Sequence, residues 1–349
     1  MSRDGASTGS LGGLLVLDFT TLLPGPLATL MLARAGAEVI KIERPEGEPM
    51  RSDLPVFEIL NRGKRSIAID LKADGAKLAG LAARADVIIE QFRPGVMDRL
   101  GFGYEAVRAV NPSVIYVSLN GYGSEGPDTL RPGHDLTWQA ESGLLSLNVD
   151  ANGAPVLPAA MVGDIAAGSH AAFANIALAL YRREKSGEGA RIEVPMFNGL
   201  LAFLAEPLAH SAAGQSVHPG YSPATGSSPR YGIYRAGDGR YLALASPEEK
   251  FWKAFCQRTG LPLDAGRETI AARLLERGGQ EWIDSFDGAD LCCSLVLTVG
   301  EALATPRMQR LLEADPLPLP IARQLATGAG PLEAAPVLGE ANGTLQSQV

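Results

Sequence analysis

Two side chains able to move protons stand apart in this chain, each set among small residues: His134, in a Pro-Gly-His-Asp turn, and Asp164, which follows Val162 and Gly163. An imidazole and a carboxyl group are side chains that give and take protons near neutral pH, as general acid–base catalysis requires. The chain has four histidines, and the proline and glycine before His134 bend the backbone so that its side chain can stand clear. Asp164 opens an alanine-rich helical run, where free N–H groups and the helix dipole favour a carboxylate. Each residue also has an ordinary structural use, His134 as a satisfied loop histidine and Asp164 as a helix cap.

At 349 residues the chain can bury a large core, as one large α/β domain or a large domain with a smaller companion. A net charge of -8 argues against nucleic acid as the main partner. Cys256 and the adjacent Cys292 and Cys293 give neither a disulfide framework nor zinc-site spacing, and Cys292 and Cys293 are expected as small buried hydrophobes. A reducing cytoplasm fits this cysteine use. The apolar run 11–17 is interrupted by Gly12 and Gly13 and stops at Asp18, unlike a signal peptide. Nowhere do about 18 apolar residues run unbroken, so no conventional membrane span is expected.

The elements that must position His134 and Asp164 read as follows. Residues 14–19 form a buried strand, Pro24-Gly25-Pro26 opens a helix to about 35, and 38–43 form a second strand, which makes a right-handed βαβ unit. Strands at 66–71, 86–91 and 113–119 and a helix at 73–83 continue a doubly wound, Rossmann-like parallel sheet. The turn after the first strand, Leu22-Leu23-Pro24-Gly25-Pro26, lacks the Gly-x-Gly-x-x-Gly of a dinucleotide fold, so a nicotinamide or flavin dehydrogenase is rejected. A helix is expected over 164–183, a strand at 191–194 and a helix over 197–210. Residues 211–229, rich in Ser, Gly, Pro and Ala, read as a linker. This gives a large domain over 11–210 and a small α+β domain over 230–315. The small domain holds a hairpin of 231–234 with 241–245 around Asp238-Gly239, and helices near 248–259, 267–277 and 299–304. Residues 316–349 read as a surface tail.

Six segments in order carry a family resemblance: Val39-Ile-Lys-Ile-Glu-Arg-Pro45, Asn61-Arg-Gly-Lys-Arg-Ser66, Arg93-Pro-Gly-Val-Met-Asp-Arg-Leu-Gly101, Ser118-Leu-Asn-Gly-Tyr-Gly123, Pro132-Gly-His-Asp135 and Val162-Gly-Asp164. Over roughly residues 14–310 the chain resembles the class III (CaiB/BaiF type) CoA-transferases, a family that includes the α-methylacyl-CoA racemases. The resemblance implies a Rossmann-like large domain, a small domain, an interlocked homodimer, and a C-terminal segment that returns to the large domain. It also implies acyl-CoA as substrate, with a free carboxylic acid as a second partner if CoA is transferred, and no cofactor beyond the CoA thioester itself.

A thioester acidifies its α-hydrogen and offers a carbonyl carbon to a nucleophile. Racemisation needs a base on one face and an acid on the other, and His134 and Asp164 match the positions that look like that pair in the racemases. Glu248 sits where the racemases carry a carboxylate from the small domain. Transfer needs a carboxylate nucleophile instead, and Asp164 matches the aspartate the transferases use. His134 is the racemase-like choice, because well-known transferases tend to have an aromatic residue there. Leu23 likewise stands where formyl-CoA type transferases resemble one another in a glutamine. Ile165-Ala166-Ala167-Gly168 replaces the family's glycine cluster, and the added methyls are expected to crowd the pocket, which keeps a CoA-binding protein without catalysis as a third reading beside racemase and transferase. For CoA phosphates, Arg44, Lys64, Arg65 and Arg93 lie beside strand ends of the first half, Arg93 most favoured by family position; their alternative use is as solvated surface charges.

Overall fold

Short apolar runs such as β1 (Leu15–Phe19) and β4 (Val87–Glu90) suit strands covered on both faces. With β2 (Glu38–Glu43), β3 (Arg65–Ala68), β5 (Ile115–Asn120) and β6 (Ala190–Pro195), which carry polar residues among apolar ones, they make one parallel sheet. The computed structural model describes residues 9–315, 317–322, 324–326 and 332–346. The strand order is β3-β2-β1-β4-β5-β6, so the winding direction reverses between β1 and β4, where open α/β sheets bind ligands beyond the carboxyl ends of their strands. Alternate residues serve opposite faces. Val16, Val39, Val87 and Val117 pack against Ala28, Leu32 and Ile176 on one side, and Leu17, Ile40, Ile88 and Tyr116 against Leu78, Leu81 and Phe102 on the other.

Three expected helices differ from what forms. The 197–210 helix is broken into Met196–Gly199 and Ala205–Ala212 around a 3-10 segment, Leu200–Leu204. The 73–83 helix is three short pieces, with a 3-10 turn at Gly75–Leu78. A side chain at Gly75 would meet the Phe102 ring at 3.0 Å, so glycine is kept there although it weakens a helix. The helix expected from Asp164 begins as a π-helix, Gly163–His170, and becomes α-helical only over Ala171–Ser186. The Asp135–Glu141 helix was not foreseen.

Beneath the turn that follows β1 lie four buried charges. Lys64 Nζ is 3.3 Å from Asp18 Oδ2, both side chains fully enclosed, and Lys41 Nζ is 2.7 Å from Glu48 Oε1 in a second sealed pair. Lys64 also donates to Pro26 O and Asn61 Oδ1 at 2.9 and 2.8 Å. Burial alone would raise the Asp18 pKa, but Lys41, Lys64 and hydrogen bonds from Thr20 and Thr29 outweigh it and hold the carboxyl at about 2. Burial lowers Lys64 to about 8 against the pull of Asp18.

The chain divides into two compact units. One comprises the described residues of Met1–Leu144, Leu157–Leu204 and Arg310–Val349, the other Leu145–Val156 and Ala205–Gln309. In the first, residues 332–346 run beside β3: Gly339 N–H donates to Ser66 Oγ at 3.1 Å, Ala341 N–H to Ser66 O at 2.9 Å, and Ala68 N–H to Asn342 Oδ1 at 2.9 Å. The second holds an antiparallel sheet of β7 (Tyr231–Arg235), β8 (Tyr241–Ala245) and β9 (Cys293–Leu295). Trp252, Phe255 and Trp282 form its sealed core, and the indoles donate to Leu263 O and Leu274 O at 2.7 and 2.9 Å. Residues 211–229, expected as a linker, are folded onto this unit: Arg267 donates to Gly226 O and Ser228 O at 2.6 and 3.0 Å. Cys293 is mostly enclosed, and burial raises its thiol to about 12. Cys292 is exposed, contrary to expectation. Among the described residues no helix is long and apolar enough to cross a membrane.

The buried pairs set an expectation for stability. Lys64→Met would leave Asp18 as an uncompensated buried charge and should lower the unfolding free energy by roughly 3–5 kcal/mol, whereas Arg65→Ala, on the exposed side of β3, should not move the urea midpoint. Because the Asp18 pKa is depressed from 3.8 to about 2, its contribution is complete above the unfolded value and is lost as pH falls through that window. Equal urea midpoints for the two variants, or a wild-type acid limb in Asp18→Asn, would contradict this account.

Candidate active site

At the reversal between β1 and β4 the carboxyl ends of β1, β4 and β5 open into a cavity of about 270 Å³. Leu22 and Pro24 follow β1, Gln91 to Pro94 follow β4, and Leu119 to Tyr122 end β5. Across from these strand ends, His134, Trp138 and Asp164 complete the lining. The two residues singled out for proton chemistry therefore share one pocket, and Arg93 shares it with them.

Asp164 is placed by a residue the sequence left without a role. Asp135 is buried, and its Oδ1 accepts from Gly163 N–H at 2.6 Å and Asp164 N–H at 3.1 Å, while Oδ2 accepts from Gln139 Nε2 at 2.5 Å. A Cβ on Gly163 would stand 2.8 Å from that Oδ1, so glycine is what lets the carboxylate close on the backbone. These contacts anchor the start of the π-helix, an uncommon geometry often found at functional sites. The Asp164 pKa is raised to about 6, first by burial and then by the negative charge of Asp135, with His134 pulling it the other way. Among the described residues no hydrogen bond engages the Asp164 carboxyl, which leaves it open to a ligand.

His134 precedes the Asp135–Glu141 helix with extended backbone. Its own N–H donates to Thr137 Oγ1 at 3.0 Å, and its carbonyl accepts from the Thr137 hydroxyl at 2.7 Å. The backbone is thus pinned while the imidazole stays exposed. A Cβ on Gly133 would lie 2.3 Å from Trp138 Nε1, so this glycine too is required by a close approach. Two buried polar atoms of the lining, Gln91 Oε1 and Trp138 Nε1, have no protein partner. An orphaned acceptor and an orphaned donor in one pocket suit a ligand that carries both kinds of group.

The β1 side of the pocket is strained. Leu22 has φ 63°, the one positive φ outside glycine among the described residues, a conformation that costs roughly 1–2 kcal/mol for an L-residue. Its N–H donates to Glu48 Oε2 at 2.8 Å. On the far side of the turn, the Ser169 hydroxyl bonds Pro24 O at 2.7 Å and lies 3.1 Å from Asp164 O.

The other expected site residues are not gathered here. Arg44 is exposed beside a second cavity of about 520 Å³, beyond the ends of β1, β2 and β3, and its Nε donates to Gly47 O at 2.7 Å. Lys64 must be corrected from ligand contact to buried structure, because Asp18, Asn61 and Pro26 occupy its ammonium. Arg65 begins β3, at the amino end of the sheet, and pairs with Glu38 at 2.8 Å; the carboxyl ends lie at the opposite edge. Glu248 is exposed at the amino end of the Glu249–Thr259 helix of the second unit. Neither Ala166 nor Ala167 lines the pocket. Ala167 instead packs where a side chain on Gly199 would meet it at 2.6 Å, so the expected crowding does not arise.

Residues 11–313 match the family model described as CoA-transferase family III. The chain is 35% identical over 337 residues to an acetyl-CoA:oxalate CoA-transferase of Acetobacter aceti, covering 86% of this chain and 84% of that protein. It is 32% identical over 310 residues to the α-methylacyl-CoA racemase of Homo sapiens, covering 84% and 79%. A crystal structure of a CaiB/BaiF family protein from Brucella suis aligns with a TM-score of 0.85 at 25% identity, covering 97% of this chain and 99% of that one. Transferases and racemases thus lie at similar distances. With a family match along most of its length and relatives above 30% identity on both sides, the chain belongs to CoA-transferase family III.

Proposed function

We propose that this pocket abstracts the α-proton of a 2-methyl-branched acyl-CoA and returns a proton to the opposite face, racemising the α-carbon. The observation that carries the reading is a carboxyl raised to about 6 in the same cavity as His134. A racemase needs an acid and a base whose proton affinities lie close enough to exchange roles, and a carboxyl at 6 has moved towards the ordinary imidazole range. One of the two takes the α-proton, the electron pair delocalises onto the thioester oxygen, and the other protonates the far face. Arg93, exposed and among the described residues without a carboxylate partner, is proposed to hold a CoA phosphate, and Glu248 is proposed as a supporting carboxylate. The enzyme is proposed to work as a homodimer, a reading supported by Leu178 and Tyr181, which stand 68% and 63% exposed about one helical turn apart, and to work in the cytoplasm, as three cysteines without a disulfide framework suit.

A second reading has its own support. Arg93 and Arg131 both line the pocket beside the one carboxylate Asp164. Arg131 is already paired with Glu141 at 2.5 Å and Asp128 at 3.7 Å, so Arg93 is the cation that suits a free carboxylic acid. The acetyl-CoA:oxalate relative moves CoA to such an acid. Here Asp164 would attack the thioester carbonyl and release CoA as thiolate, leaving a mixed anhydride; the thiolate would attack the Asp164 carbonyl of that anhydride, freeing the donor acid and forming an aspartyl-thioester. The acceptor carboxylate would then displace the thiolate to form a second mixed anhydride, and thiolate attack on the acceptor carbonyl would give the new acyl-CoA and restore Asp164.

Two measurements separate and test these readings. In deuterated water with both enantiomers of 2-methylacyl-CoA, His134→Ala should lose racemisation while Asp164 still exchanges the proton of one enantiomer, and Asp164→Asn should show the reverse preference. Full exchange of both enantiomers by His134→Ala would remove the racemase, and CoA transfer to added acid that vanishes only in Asp164→Asn would favour the transferase. The acid limb of kcat/KM should follow Asp164 near pH 6. Asp135→Asn keeps the acceptor for the Gly163 and Asp164 amides but removes the charge that raises the Asp164 pKa, so it should move that limb to lower pH; an unmoved limb would mean that another group sets it.

A further inference from the structure

We propose that the buried Lys41–Glu48 pair is a positioning device for this pocket, holding Leu22 in its left-handed conformation and so fixing the Leu22–Pro24 wall relative to Asp164. The inference rests on the reading that an acyl-CoA reacts here, and it holds for either chemistry.

Three anchors meet on one turn. Lys41 Nζ donates to Thr20 O at 2.9 Å. Glu48, paired with Lys41 at 2.7 Å, accepts the Leu22 N–H at 2.8 Å through its other oxygen. Ser169, itself fully buried, donates to Pro24 O at 2.7 Å and lies 3.1 Å from Asp164 O. The turn is therefore tied on one side to a sealed ion pair and on the other to the backbone of the residue that reacts. Lys41 and Glu48 lie outside the lining of the Asp164 pocket. Glu48 also borders the second cavity beside Arg44, but its side chain is 1% exposed and its two oxygens face Lys41 and the Leu22 N–H, so the pair acts on the Asp164 pocket through Leu22.

The choice of residue at position 22 supports the assignment. Glycine would adopt this conformation without penalty but would leave the turn loose and the wall bare. Leucine supplies the wall and needs an external restraint to stay left-handed. A charged acceptor, made tolerable in the interior by Lys41, is a strong restraint of this kind. Strain of this sort persists where the surroundings over-determine it, and it clusters at functional sites. Preorganising a wall in this way affects the reacting geometry more than binding of the remote parts of the substrate.

The test uses the full chain with Glu48→Gln and Glu48→Ala. Turnover of acyl-CoA and hydrogen exchange of the Leu22 amide in ligand-free protein are both followed. Expected is a fall in kcat in the order wild type, Gln, Ala, reaching roughly tenfold or more in Ala as a charged hydrogen bond is lost, with KM nearly unchanged. Leu22 amide exchange should accelerate in the same order. A wild-type kcat in Glu48→Gln overturns the proposal, as does a kcat that falls while Leu22 protection stays intact. If Glu48→Ala does not fold, Glu48→Gln alone supplies both readouts. Should the wild type turn over no acyl-CoA, the functional reading fails by itself, and the proposal then stands or falls on whether Leu22 protection is lost.

Discussion

Four charges sealed beneath the turn after β1 set the terms for the rest of this structure. An enclosed lysine or carboxylate is tolerated only when opposite charge and hydrogen bonds replace the water it has lost. Here the replacements are largely backbone: Lys64 reaches Pro26 O, Lys41 reaches Thr20 O, and Asp18 accepts from the Thr20 N–H. Satisfying the charges and shaping the turn are thus a single requirement. Replacing both members of a buried pair by apolar residues is often neutral for stability, yet here it would leave the turn backbone without those partners.

The far side of the pocket relies on the same device with one carboxylate. Asp135 spans 28 residues of sequence to hold two backbone amides at the start of the π-helix. Its charge also acts on Asp164 through space, in the same direction as burial. One residue therefore sets both where the Asp164 carboxyl sits and how readily it takes a proton. Orientation and proton affinity are often tuned by separate neighbours, and their union here means that substitutions at 135 act on geometry and titration together.

Much of this was legible in the residues. β2 forms over the expected stretch, and the hairpin around Asp238-Gly239 follows from its turn chemistry. His134 and Asp164 were found from type and setting, because isolated polar groups among small residues are visible in one dimension. The supporting residues were not. Lys41 sits in a strand whose alternation fits a surface lysine as well as a buried one. Lys64 and Arg65 are adjacent cations, but a strand turns neighbours to opposite faces, and charge alone does not say which is inward. Asp135 stood in the quoted motif, yet its work depends on a contact that only the folded chain supplies. The π-helix was hidden for the same reason, since its backbone and Ser169 are held by Asp135 and Pro24 O from outside the local run.

The segment beside β3 bears on how the chain is made. Ser66 and Ala68 are partnered by residues some 270 positions later, at separations of 273 and 274. At a synthesis rate of about 5–20 residues per second, that flank of β3 stays bare for on the order of ten to fifty seconds on the ribosome. An unpaired outer strand is a template for pairing with other chains. Arg65, an exposed charge on β3 that reaches Thr344 of the covering segment in the finished fold, discourages such pairing while that segment is still being translated.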